Sequence, residues 1–179
     1  VSEALQAAHE AGVVHRDLKP ANVIRESRSG RLRVMDFGLA KLVETGDAAG
    51  TTRTGAVLGT PAYMSPEQAE GEVKRIDAVS DVYQIGAMLY EFLTGRRPYE
   101  GESAMAILWQ VTDREPVAPR RIDPGIDRDA ETICVKAMAR AKEKRYGSAR
   151  ELAEDCARYL NGEAIRARPE GWWERPVRW

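Results

Sequence analysis

His15-Arg16-Asp17-Leu18-Lys19-Pro20-Ala21-Asn22 opens the stretch that decides this chain, and Asp36-Phe37-Gly38 closes it. Between them, residues 22–26 and 31–35 read as two short strands. Ser27-Arg28-Ser29-Gly30 is the turn that joins them, with Gly30 able to take a positive φ. Such a hairpin holds Asn22 and Asp36 at a fixed separation. The spacing therefore brings Asp17, Asn22 and Asp36 together, with Lys19 beside them. Either short motif alone reads as a polar loop or an Asp-capped turn. The two in order, with Lys and Asn at set offsets from Asp17, are specific.

The set resembles the catalytic loop and the metal-binding loop of protein kinases. Phosphoryl transfer asks a protein for positioning and charge stabilisation more than for covalent work. The resemblance implies Asp17 as the catalytic base, with Lys19 placing a cation near the transferring phosphate. Asn22 and Asp36 would be ligands of Mg2+, which prefers oxygen donors and shares them with phosphate. Lys19, Asn22 and Asp36 would together contact ATP. His15 would brace the loop. Arg16 would bind a phosphorylated segment, since its planar guanidinium suits phosphate.

Outward from this stretch, 38–67 has little periodicity and carries Thr45, Thr51, Thr52, Thr54 and Thr60 among several glycines. Long loops of this kind are functional or disordered. By resemblance it is the activation segment, ending in Ser65-Pro66-Glu67. Thr54 and then Thr52 are the phosphorylation candidates, because a phosphate adds about −1.5 to −2 charge. Thr60, in Gly59-Thr60-Pro61-Ala62-Tyr63-Met64, would dock the substrate and hydrogen-bond Asp17 and Lys19. Glu67 would form a buried pair with Arg145, and Asp81 would anchor the catalytic-loop backbone.

The remainder reads as helices. Residues 2–11 show one apolar stripe, with Ser2 as a cap, Gly12 as a stop and His9 on the surface. Residues 80–94 are apolar nearly all round, Phe92 included, which predicts a buried helix ended by Gly95. Residues 103–111 form an amphipathic helix with Trp109 in the core. Residues 115–125 are a loop, 129–139 a helix and 142–145 a charged turn. Ser148-Ala149-Arg150-Glu151 opens a last helix with a capping box, with Leu152, Cys156, Tyr159 and Leu160 on its buried side and Asn161-Gly162 at its end.

The bulk numbers fit this frame. A chain of 179 residues, 43% hydrophobic and 31% charged, can form one soluble domain with a sizeable core. A net charge of −1 gives no support for nucleic-acid binding by bulk charge. Cys134 and Cys156 lack metal-ligand spacing and read as reduced buried thiols of a cytosolic protein.

The resemblance is closest to bacterial eukaryotic-like serine/threonine kinases. It implies a mostly α fold: the large lobe of the α+β kinase domain, with a small β-hairpin at the cleft, over residues 1–165. No glycine-rich phosphate loop and no V-A-I-K-type lysine precede it, so the N-terminal lobe is missing from this stretch and is itself an expected partner. Little or no activity is expected of residues 1–179 alone. The other expected partners are Ser/Thr-bearing protein substrates and a second copy for trans-autophosphorylation. Residues 166–179 are basic and aromatic, with Pro169, Trp172, Trp173, Arg175, Arg178 and Trp179. They resemble the segment before the spanning helix of membrane-anchored bacterial kinases, or else fold back on the lobe. The expected location is cytoplasmic, with the parent protein anchored to the inner membrane. Two rival readings stay open: a non-catalytic scaffold, and a small-molecule phosphotransferase sharing the Asp…Asn…Asp arrangement.

Overall fold

The computed structural model describes residues 1–37 and 61–167. Thr45, Thr51, Thr52, Thr54, Thr60 and residues 168–179 lie outside the described residues, and with them the expected phosphorylation, docking and tail assignments.

The described chain is helical around a small hairpin: α1 (Ser2–Glu10), β1 (Val23–Arg25), β2 (Leu32–Val34), α2 (Pro66–Ala69), α3 (Ala78–Thr94), α4 (Ala104–Asp113), α5 (Pro119–Ile122), α6 (Arg128–Ala137) and α7 (Ala149–Leu160). β1 and β2 pair antiparallel with Val23 opposite Val34, and Gly30 takes φ 69° in the turn. This two-stranded sheet carries Asn22 at one strand's start and Asp36 just past the other's end.

α3 is the central element. Asp77 caps it by accepting the Val79 N–H, and Gly95 ends it in the left-handed region at φ 68°. It packs against α5, α6 and α7. Val82, Tyr83, Ala87 and Tyr90 supply its buried apolar face, together with Ser80, Asp81 and Gln84. Burying one large apolar side chain is worth about 1.5–3 kcal/mol, so this helix makes a substantial contribution to the core. Gly86 lets α3 approach α6 closely, since a Cβ there would sit 2.8 Å from both Ala137 Cβ and Met138 Cγ. Cys134 lies in the same contact, and burial pushes its thiol up to about 12.

A second cluster joins α3, α6 and α7 through Val82, Ile133, Ala137, Tyr146, Leu152 and Ile165. A third joins α1, the His15–Asn22 loop and α7 through Leu5, Leu18 and Ala149, with Val34, Phe37, Ile85 and Met88 packed on it. The loop is thereby seated on the helical body.

Several expectations require correction. Ser2 is the first helical residue and not the cap, and Val1 precedes the helix without a side-chain cap. Phe92 is 85% exposed and Leu160 80% exposed, because each lies on a face that no described element covers. Trp109 is 61% exposed and not core, while Val111 is the buried residue of α4. The expected loop 115–125 contains the short helix α5, started by Pro119 at its first position. At α7, Ser148 Oγ accepts the Glu151 N–H, but Glu151 reaches back to the Gly147 N–H and not to that of Ser148. Among the described residues no helix is long and apolar enough to cross a membrane.

Candidate active site

The His15–Asn22 loop is shaped by side chains that reach it from elsewhere. Asp81, fully buried on the first turn of α3, accepts the His15 N–H on Oδ2 at 2.8 Å and the Arg16 N–H on Oδ1 at 2.9 Å. Arg16 has φ 67°, a region that non-glycine residues enter at a cost and only when the surroundings enforce it. Its carbonyl accepts from Gln68 Nε2 at 2.6 Å and from Gln84 Nε2 at 3.2 Å. Gln84 Oε1 in turn accepts the Leu18 N–H at 2.9 Å. The loop is therefore gripped at both donors and acceptors by α2 and α3.

His15 is fully buried and spans the gap to the hairpin. Its Nδ1 accepts the Asp17 N–H at 3.3 Å, so the ring proton sits on Nε2, which donates to the Met35 carbonyl at 2.8 Å. The ring also stacks on Phe37 at 4.8 Å, tilted 50°. Both ring nitrogens are thus occupied with holding Asp17 and the residue before Asp36 in relation to each other.

The polar group forms on this frame. Lys19 Nζ lies 2.9 Å from Asp17 Oδ2. Asn22 Nδ2 donates to the Asp17 carbonyl at 2.8 Å, and the Met35 N–H donates to the Asn22 carbonyl at 2.8 Å. Asp17, Lys19 and Asn22 are brought together directly. Asp36 is placed through its neighbour Met35, at φ 55°, and is exposed. With its N–H2 turned to Asp17, the Asn22 amide keeps its oxygen as a remaining acceptor. An amide oxygen and a carboxylate are hard donors of the kind magnesium takes. Among the described residues no group of three or more His, Cys, Asp or Glu side chains is arranged to hold a metal.

Sequence reasoning missed three residues of this frame. His9, expected on the surface, has a side chain only 6% exposed, with Nε2 2.8 Å from Asp81 Oδ2 and its Nδ1 buried without a described partner. Its position four residues after Leu5, the buried residue of α1, was the available signal. Gln68 stands three residues after Ser65, a capping-box spacing that was its available signal, while Gln84 carried none, because a glutamine's distant partners cannot be read from helical spacing.

The Ser65-Pro66-Glu67 turn is bound to the same frame. Gln68 Oε1 accepts the Ser65 N–H at 3.0 Å and a Gln84 N–H at 2.9 Å. Glu67 is buried and paired in a fork with Arg145, at 2.9 Å to Nη1 and 3.0 Å to Nη2, and Ser80 Oγ donates to it at 2.6 Å. Arg145 also donates from Nε to the Ala139 carbonyl at 2.7 Å and from Nη2 to the Arg140 carbonyl at 3.0 Å. Burial alone would raise the Glu67 carboxyl, but the hydrogen bonds from Arg145 and Ser80 and the Arg145 charge outweigh it, holding it down at about 2. A cavity of about 360 Å³ opens beside this pair, around Glu67, Arg75, Arg140 and Lys144. The Asp17 group does not line it.

The chain matches the protein kinase domain family over residues 1–157. It is 45% identical over 168 residues to a probable serine/threonine-protein kinase of Streptomyces coelicolor, covering 93% of this chain and 24% of that protein. It is 43% identical over 162 residues to the probable serine/threonine-protein kinase PknB of Bifidobacterium longum, covering 90% and 23%. It is 42% identical over 163 residues to the serine/threonine-protein kinase PknB of Mycolicibacterium smegmatis, covering 90% and 25%. The chain thus spans about a quarter of the length of these relatives.

Proposed function

The chain belongs to the protein kinase family, and on that premise we propose that it carries the catalytic surface of an enzyme that transfers the γ-phosphate of ATP to serine or threonine hydroxyls of proteins. The observation that carries this reading is the Asp17–Lys19–Asn22 group on a loop whose backbone is clamped by Asp81. The Asp17 carboxylate accepts the proton of the substrate hydroxyl as the hydroxyl oxygen bonds to the γ-phosphorus of ATP and the bond from that phosphorus to the bridging oxygen breaks, releasing ADP. Lys19, bonded to that carboxylate, keeps a positive charge beside the transferring group. Asn22 and Asp36 would hold magnesium, which when bound neutralises phosphate charge. Positioning of this kind can be worth about 7–11 kcal/mol, which is why a loop held at so many backbone atoms fits the task.

Arg16 is proposed to pair with phosphate on Thr54 or Thr52, and Thr60 to dock the acceptor. Absence of phosphate on residues 45–60 of the active enzyme by mass spectrometry would remove that part. Contact of the 166–179 stretch with a membrane is proposed from its composition, and liposome binding tests it.

The central test is Asp17→Asn in the full-length protein that carries this chain. Loss of general-base help lowers kcat by about 10²–10⁴, with KM for ATP little changed. Undiminished transfer of labelled phosphate to a protein substrate would end the assignment.

A further inference from the structure

Asp155 lies on α7, 1% exposed, with both carboxylate oxygens engaged outside the helix. Oδ1 accepts the Arg166 N–H at 2.7 Å. Oδ2 accepts the Ala167 N–H at 2.9 Å and the Tyr146 hydroxyl at 3.0 Å. After Gly162, at φ 72°, the strap formed by 163–167 is thereby fastened to α7, and Ile165 is buried in the cluster of Val82, Ile133 and Leu152. A surface turn can be satisfied by water. Here a buried carboxylate holds consecutive backbone donors instead.

The tyrosine that completes this clasp follows Arg145 directly. Arg145 is extended, at φ −75° and ψ 178°, so the two side chains diverge from the backbone. Both residues are buried. One reaches Glu67 in the Ser65–Glu67 turn, and the other reaches Asp155 under the strap. Neither has room to adjust alone. Arg145 is held by Glu67 and by the Ala139 and Arg140 carbonyls, and its Cζ lies 4.9 Å from the centre of the Tyr83 ring. Tyr146 is enclosed by Val82, Ile133 and Leu152, with Lys136 Nζ 4.4 Å from its ring centre.

We propose that Arg145–Tyr146 is a two-sided link that couples the strap at 163–167 to the Ser65–Glu67 turn, so that loosening either end loosens the other. Such coupling is reciprocal by thermodynamic necessity. Where the proposed kinase role holds, the link lets the strap bias the segment that ends in Glu67; the coupling itself does not depend on that role.

Amide hydrogen exchange of the 179-residue protein tests it without reading activity. The probes are the Arg166 and Ala167 amides at one end. At the other are the Glu70 and Glu72 amides, which donate to the Pro66 and Glu67 carbonyls. Asp155→Asn turns one acceptor into a donor facing an N–H. It should raise exchange about tenfold at 166–167 and at least about threefold at 70 and 72. In a Tyr146→Phe background the same substitution should still act on 166–167 but no longer on 70 and 72. Glu67→Gln should raise exchange at 166–167. Unchanged exchange at 70 and 72, or an equal rise there in the Tyr146→Phe background, overturns the link. If Asp155→Asn does not fold, Tyr146→Phe alone decides: both ends must loosen, and movement at one end only, or at neither, refutes the proposal.

Discussion

Replacing Arg145 by alanine should destabilise this body severely. The side chain supplies the fork to Glu67, and its remaining donors close the Ala139 and Arg140 carbonyls. Its removal leaves the Glu67 carboxylate, 2% exposed, with Ser80 Oγ as its remaining described side-chain donor. Breaking a buried pair from one side costs about 3–5 kcal/mol. At about 2–4 °C per kcal/mol for a chain of this size, the melting temperature should fall by about 6–20 °C. Differential scanning calorimetry of Arg145→Ala against the parent measures this. The paired replacement Glu67→Leu/Arg145→Met removes both charges and should recover most of the loss, because an apolar pair of similar volume is close to neutral.

The same pair sets an acid limb. The folded-state pKa of Glu67, about 2, lies below its ordinary 4.5, so the folded state favours the carboxylate. Its contribution is complete above pH 4.5 and is lost as pH falls towards 2. The stability of Glu67→Gln should therefore fall less steeply over that window than that of the parent. A melting temperature for Arg145→Ala within about 2 °C of the parent at neutral pH would refute the reasoning, since no buried charge could then have been left unpaired.

Two other substitutions probe the frame. Gly86→Ala forces a Cβ to 2.8 Å from Ala137 Cβ and Met138 Cγ, and overpacking of this kind costs about 1–3 kcal/mol, readable from urea denaturation midpoints. His9→Ala removes the side-chain donor to Asp81 Oδ2 and should cost about 1–3 kcal/mol by thermal melting. Where the proposed kinase activity holds, it should lower kcat more than it changes KM, because Asp81 still holds the loop through the His15 and Arg16 amides but with less restraint.

The closeness of Asp17, Lys19 and Asn22 was legible in the sequence because it depends on short spacing. Asp17, Lys19 and Asn22 lie within one turn of loop, and the hairpin between Asn22 and Asp36 is written in a strand–turn–strand pattern with Gly30 at the positive-φ position. Some helix ends were legible for the same reason, though the start of α3 at Asp77 and the uncapped start of α1 were not. Ser148 and Gly95 sit where local hydrogen bonding and backbone freedom place a cap or a stop. The Glu67–Arg145 pair reached the sequence reading only through family resemblance, since no local pattern links positions so far apart.

Which apolar residue of a helix is covered depends on what packs against it, not on its own hydrophobicity. Phe92, Trp109 and Leu160 were all expected inside and are exposed, while His9 was expected outside and has its side chain buried. The rigidity of the loop has the same origin. Gln68, Asp81 and Gln84 reach it across 52 to 68 positions, and His9 backs Asp81 across 72. At such separations no periodicity survives in the sequence. Sequence alone therefore determined which groups could do the chemistry, while the tertiary structure decided what holds them still, because a buried hydrogen bond is selected by the packing of whole helices and leaves no local trace.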